Sequence, residues 1–230
     1  MRTLTEKELI HERLGDRFKD ALSLYDTQRR LDVLVNEFFG EDYLRGKQVL
    51  EVGAGLGFFS ERLQQRGATV TATDIGEGLL RRVRERVGCE CLQVDALRLV
   101  EAFGANRFDV VLSSECIEHT PSPADALRQM CRVLKTGGKL AVSTPNRLWY
   151  PVVRTATTLK LRAFDGLENF SSFGTIREVL ASEHVNVVRE KGLHLFPFQF
   201  PLHGLSHWCD EHLQSLKECM INLCVLGQKQ

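Results

Sequence analysis

An apolar run breaks abruptly into three glycines spaced two apart, Val49-Leu-Glu-Val-Gly-Ala-Gly-Leu-Gly57. The first half reads as a buried strand and the second as a turn. Glycine tolerates positive φ and carries no side chain, so the backbone can bend sharply and a ligand can lie against it. Asp74 follows at the end of a second strand-like run, Ala68-Thr-Val-Thr-Ala-Thr73. A glycine turn beside an acid on the neighbouring strand tip is how an α/β sheet holds an adenosine, the carboxylate accepting the ribose hydroxyls. The spacing is G-x-G-x-G, which departs from the G-x-G-x-x-G of dinucleotide enzymes and disfavours a nicotinamide dehydrogenase.

At 230 residues the chain suits one α/β domain with a modest addition. Lys plus Arg and Asp plus Glu are both 30, so the charge balance offers no broad nucleic-acid footprint. The charged start, Met1-Arg-Thr-Leu-Thr-Glu-Lys-Glu8, is unlike a secretory signal, and no apolar run approaches the roughly 18 residues of a membrane span. Seven cysteines without C-x-x-C spacing read as reduced, mostly buried thiols, and the expected location is cytoplasmic.

Residues 1 to about 40 read as helical, with Leu31, Leu34, Val35, Phe38 and Phe39 at helical spacing and Gly40 as the stop. Strands are expected near 47–52, 69–74, 90–94, 108–113 and 138–144, and helices near 57–66, 77–87, 97–103 and 123–134. Such alternation implies right-handed crossovers and a parallel sheet covered on both faces. Thr136-Gly-Gly138 is read as the turn before the fifth strand. The pattern then breaks. Residues 145–173 hold Pro145, Trp149, Tyr150, Pro151, Phe164, Phe170 and Phe173 and are expected to pack as an insertion over the strand ends. A helix over 174–183, a strand over 185–190, the apolar segment Leu193-His-Leu-Phe-Pro-Phe-Gln-Phe-Pro-Leu202, a helix near 206–218 and a strand Met220–Leu226 complete the chain. The segment 193–202 is expected either to line a pocket or to pack as a core loop. The expected organisation is a single domain over 1–230. It divides into N-terminal helices (1–45), a cofactor-binding core (46–144), the substrate-side insertion (145–173) and completion of the sheet (174–230).

The glycine turn, Asp74, Asp95, Phe108-Asp-Val-Val-Leu112 and Leu134-Lys-Thr-Gly-Gly-Lys-Leu140 together resemble the class I S-adenosylmethionine-dependent methyltransferases. A finer resemblance is to the ubiquinone-biosynthesis O-methyltransferase group. It rests on Glu115-Cys-Ile-Glu-His119 after the fourth strand and Ser143-Thr-Pro-Asn-Arg147 after the fifth. The resemblance covers residues 30 to 147 well and the C-terminal third loosely. It implies a Rossmann-like, doubly wound α/β fold: a mostly parallel seven-stranded sheet with N-terminal helices and a small inserted cap. It also implies roles for named residues. Gly53, Gly55 and Gly57 would pass under the methionine part of S-adenosylmethionine, and Glu51, Ala54 and Phe58 would be further cofactor-binding residues. Asp74 would take the ribose hydroxyls and Ile75 pack on the adenine. Asp95 and Ala96 would sit by the adenine amino group, with Ser114 and Glu115 beside the sulfonium. Arg30 would meet the cofactor carboxylate; its alternative is a solvated helix face. Asp95 could serve only as a helix N-cap.

Methyl transfer from a sulfonium asks the protein mainly to position the acceptor and exclude water. A hydroxyl acceptor also needs its proton removed, by a base or through a metal. Glu115, Glu118 and His119 stand at i, i+3 and i+4, and share one face if the stretch is a helical turn. Three readings stay open: a site for Mg2+ or another divalent cation held by Glu115, Glu118 and His119; catalysis by His119 as base with Glu118; or a structural turn. His203, His207 and His212 are expected on the surface or a pocket wall, and Trp149 and Tyr150 within the insertion's packing. The expected activity is methyl transfer to a small-molecule hydroxyl (a phenol, quinol, sugar or natural product) with a hydrophobic body, with peripheral membrane contact open. The alternatives are a metal-dependent 2′-O-methyltransferase acting at RNA 3′ ends, and a non-catalytic cofactor-binding partner protein.

Overall fold

The structure, a computed structural model, describes residues 23–159 and 167–230. The expected helical stretch before residue 23, and Phe164, lie outside the described residues. Helix α1 (Leu24–Leu31) is capped by Ser23, whose hydroxyl accepts from the Asp26 backbone N–H, and widens into a π-helical turn over Asp32–Glu37. The alternating core follows: β1 (Gln48–Val52), α2 (Phe58–Gln65), β2 (Thr69–Asp74), α3 (Glu77–Val87), β3 (Glu90–Gln93), α4 (Leu99–Phe103), β4 (Phe108–Ser114), α5 (Pro123–Val133) and β5 (Leu134–Pro145). Then come α6 (Tyr150–Thr158), α7 (Phe173–Ser182), β6 (Val185–Leu193), α8 (His203–His212) and β7 (Asn222–Lys229).

The seven strands form one sheet in the order β3-β2-β1-β4-β5-β7-β6. β1 pairs parallel with both β2 and β4, while β7 runs antiparallel between β5 and β6. The order reverses at β1, so a crevice opens beyond the carboxyl ends of β1 and β4, the place where doubly wound sheets take their ligands. The strands are apolar on both faces because helices cover both. On one face Leu127, Met130, Ile176 and Leu180 pack on Leu50, Val111 and Val225; on the other Leu34, Phe38 and Leu63 pack on Val49, Val110 and Cys224.

Two local expectations are corrected. α5 runs straight into β5 at Leu134, and Thr136-Gly-Gly138 is a bulge inside that strand. Phe108 pairs with Leu134 but Val110 with Lys139, so the intervening residues loop out. Gly137 has φ +76, and a Cβ on Gly138 would lie 2.8 Å from the Lys135 carbonyl oxygen, which is why glycines sit there. The helix expected near 206–218 starts earlier, at His203, and gives way after His212 to a 3-10 stretch over Gln214–Cys219.

Candidate active site

The turn after β1 is stitched to β2 by its backbone. Gly53 and Ala54 N–H groups donate to the Thr73 carbonyl at 2.8 and 2.9 Å. Gly53, Gly55 and Gly57 all have positive φ, +78, +52 and +79. At Gly53 the need is also steric, since a Cβ there would come within 2.5 Å of the Cys116 Cβ. Asp74 closes the turn from the other side: its Oδ2 accepts from Gly55 N–H at 3.0 Å and its Oδ1 from Gly76 N–H at 2.9 Å. The carboxylate is thus fixed at the tip of β2 with lone pairs remaining.

These residues wall a crevice enclosing about 700 Å³ of empty space, part of it open to solvent. Of the expected cofactor residues, Gly53, Gly55, Asp74, Ile75, Asp95, Ala96 and Glu115 line it. Val52, Leu79, Val94, Cys116, Thr120 and Pro121 complete the wall together with His119. Asp95 lines the crevice, and its carboxylate also caps the following turn through Leu97 N–H at 2.9 Å.

The other expected cofactor residues stand behind the wall. Glu51 is buried and accepts from the Ser60 hydroxyl; burial pushes its carboxyl up to about 8. The Phe58 ring lies under the Arg86 guanidinium, 4.5 Å from it, and Ala54 and Gly57 hold the turn. Arg30 is buried, which removes the solvated-face reading. Its Nε and Nη2 donate to Asp26 Oδ2 at 3.1 and 2.8 Å, and its Nη1 donates to Ser114 Oγ at 2.6 Å. Ser114 Oγ lies 3.0 Å from Ser143 Oγ, which donates to Glu115 Oε1 at 3.0 Å. Arg30 therefore lines neither this crevice nor the cavity below, and its charge reaches the site through Ser114 and Glu115.

Glu115 leaves β4 with φ +50, a strained value for a residue other than glycine. Burial, and then the nearby Glu118, push its carboxyl well above the usual carboxylate range. Glu118 is buried on a 3-10 turn, accepts from the Thr144 hydroxyl at 3.2 Å and is pushed up to about 7 by burial. His119 Nδ1 donates to the Leu167 carbonyl at 3.0 Å, and its Nε2 stands 3.8 Å from Glu118 Oε1. The expected metal triad does not assemble. Among the described residues no group of three His, Cys, Asp or Glu side chains is placed to hold a metal ion. The physical reason is the tight turn, which sends Glu118 inward onto Thr144 while Glu115 turns to Ser143. Nor does Glu118 reach either cavity, so its carboxylate sits behind the site.

A second, larger cavity adjoins the first, enclosing about 1270 Å³ of empty space, part of it open to solvent, and Glu115 belongs to both walls. Pro145, Trp149, Val152, Val153, Ala156 and Phe170 line it on one side, and Pro197, Phe198 and Gln199 on the other. Both segments that broke the sequence pattern thus meet here. Trp149 Nε1 donates to the Cys219 carbonyl at 2.9 Å, and Tyr150 packs edge-on against Phe170. His203 stacks on Tyr25 and His212 on Trp208.

Sequence reasoning missed a buried polar cluster that reaches the wall of this cavity through Asp26. His194, fully buried at φ +62, meets Asp26 Oδ1 through Nε2 at 3.0 Å and Ser206 Oγ through Nδ1 at 3.2 Å. Burial alone would raise the Asp26 carboxyl, but Arg30 and His194 outweigh it and hold it below the usual range. Nothing in local periodicity signals a pair 168 residues apart. Asn222 was also missed, although a polar residue inside the apolar run Met220–Leu226 was a visible signal.

Comparison with known proteins agrees with this geometry. A family model described as a methyltransferase domain matches residues 50–142. Residues 50–142 thus carry a methyltransferase domain, and the sheet order agrees. Among curated methyltransferases, ubiquinone biosynthesis O-methyltransferases of Pseudomonas fluorescens strain Pf-5 and Pseudomonas aeruginosa strain LESB58 are 37% and 35% identical over 145 residues. That match spans 61% of this chain and 61% of the relatives' length. Magnesium protoporphyrin IX methyltransferase from Synechocystis PCC 6803, solved with bound SAH, superposes with TM-score 0.65 at 15% identity, covering 100% of this chain and 90% of that one. An S-adenosylmethionine-dependent methyltransferase from Mesorhizobium loti gives 0.63 at 18%, covering 87% and 96%. The methyltransferase crevice fits the family's cofactor: backbone glycines pave one end, a fixed carboxylate offers free lone pairs to a diol, and Ile75, Leu79 and Val94 give an apolar slot for a base. No helix among the described residues is long and apolar enough to cross a membrane.

Proposed function

We propose that this chain transfers the methyl group of S-adenosylmethionine to a hydroxyl of a small molecule with a hydrophobic body. The observation that supports it is Glu115, the residue shared by the nucleoside crevice and the apolar cavity. When bound, the cofactor supplies a methyl group on a sulfonium, with a good leaving group already in place. Asp74 would hold the ribose, Asp95 and Ala96 the adenine edge, and the glycine turn the amino-acid end. Trp149, Phe170 and Phe198 would hold the acceptor's body and keep water from the reacting atoms.

The acceptor hydroxyl still has to lose its proton. Glu115 is the carboxylate at the junction, and a raised proton affinity suits it to take that proton near neutral pH. His119 is the second candidate base. Its Nδ1–H donates to the Leu167 carbonyl, and its ring lines the crevice but not the larger cavity. Relatives whose names carry O-methyltransferase activity support oxygen as the accepting atom.

The test is a mass-shift screen with S-adenosylmethionine over phenols, quinols and hydroxylated natural products, with and without chelator. A gain of one methylene mass on a hydrophobic hydroxyl compound is expected. Glu115→Gln is expected to lower kcat by about 10²–10⁴-fold, the scale of general-base loss, while cofactor affinity changes little. His119→Asn losing as much while Glu115→Gln retains full rate would move the base to His119. Cofactor found outside the crevice would end the proposal.

A further inference from the structure

Asn222 opens β7 and pairs with Pro145 on one side and Leu193 on the other, at the edge of the sheet where the acceptor cavity lies. It is 3% exposed, yet its Oδ1 has no hydrogen-bond partner among the described residues. It lines the cavity that also holds Asp26 and Glu115. Buried amide oxygens are almost always satisfied, so one left without a partner beside a cavity marks either a defect or a place kept for a ligand, which a turn of the amide group would bring it to meet. The surroundings favour the second. Strand alternation puts Asn222 on the same face as Cys224, whose neighbours Glu115, Arg30 and Asp26 are the charged groups of the site. Most of the rest of the wall is apolar (Trp149, Val152, Phe170, Phe198, Ile221), with Ser23 and Gln199 as its other polar residues.

We propose that Asn222 Oδ1 is a specificity determinant that accepts a hydrogen bond from a second polar group of the methyl acceptor, a hydroxyl or N–H apart from the one methylated. The inference rests on reading this cavity as the acceptor site. β4, β5 and β7 are successive neighbours, so the backbones of Glu115 and Asn222 stand roughly 10 Å apart across two strand spacings. A ring or short chain bearing donors at both ends spans that gap between side chains. An acceptor lacking the second donor leaves the oxygen dry and unpaired, and such a site rejects it.

Binding tests this separately from turnover. The probes are 4-alkylphenols, each paired with the same molecule carrying an added hydroxyl or amino group, titrated by calorimetry into protein saturated with S-adenosylhomocysteine. Wild type is expected to bind the donor-bearing member roughly 10- to 100-fold more tightly. Asn222→Leu should erase that preference while leaving the plain phenol within about twofold, and should hold or raise Tm because an unpaired oxygen has been removed. Asn222→Asp, of the same size, should keep the preference for the amino probes. Equal affinity for the paired probes in wild type, no binding of either, or a Tm lowered in both variants with uniform loss of binding would overturn the inference. Probe binding with the predicted preference but no methyl transfer would instead count against the proposed reaction and leave Asn222's role standing.

Discussion

Replacing Asp74 by alanine tests whether this crevice seats a nucleoside. The carboxylate is only 8% exposed and accepts two backbone N–H groups, from Gly55 at 3.0 Å and Gly76 at 2.9 Å. Both bonds aim it at the crevice before any ligand arrives, so little ordering remains on binding. Hydrogen bonds to a charged group contribute about 1.5–3 kcal/mol, which weakens S-adenosylhomocysteine binding roughly 10- to 150-fold. The same change strands two amides, so apo stability should fall by about 1–3 kcal/mol, a Tm drop of roughly 2–4 °C for each kcal/mol at this size. Calorimetric titration read beside thermal unfolding separates the two losses. A 2′-deoxy analogue sharpens the assay: it should bind wild type more weakly, yet lose little more on Asp74→Ala, because both changes delete the same bond. Full additivity of the two losses, or an unchanged Kd with a lowered Tm, would show that Asp74 only braces the turn.

Glu51 gives a pH prediction. Its folded-state value of about 8, against an ordinary 4.5, means the folded chain holds that proton more tightly than the unfolded chain. Stability should decline as pH rises through that window, and Glu51→Gln should flatten the decline by an amount on the order of a few kcal/mol; parallel pH–stability curves for the two proteins would refute it. Asp26→Ala leaves Arg30 buried without its 2.8 Å partner and should cost about 3–5 kcal/mol in urea unfolding. Asp26→Ala with Arg30→Met should recover much of that loss, and simple additivity would argue against a coupled pair.

Much of the cofactor half was legible because its determinants are local. The boundaries of β1, β2 and α3 follow from apolar runs ending at glycine or aspartate, and the glycine spacing separates this turn from dinucleotide sites. The acceptor half was less legible, since it is assembled from distant pieces. Trp149 and Phe198 are 49 residues apart by number and line one cavity. Asp26, Arg30 and His194 form their cluster across the domain. Glu115, Glu118 and His119 fit a helical face by spacing, but a 3-10 turn and a positive φ at Glu115 point them in different directions. Thr136-Gly-Gly138 carried a correct turn chemistry that the sheet uses as a bulge.

The late strand slotted between β5 and β6 has a consequence for how a molecule matures. Until β7 is made, β5 shows a bare edge and β6 has no neighbour at all, so the barrier side of the sheet stays unzipped while β3 to β5 can already pair. Asn222 arrives with that closing strand. During synthesis the crevice beyond β1 and β4 can therefore be finished while the cavity that Asn222 lines is still open.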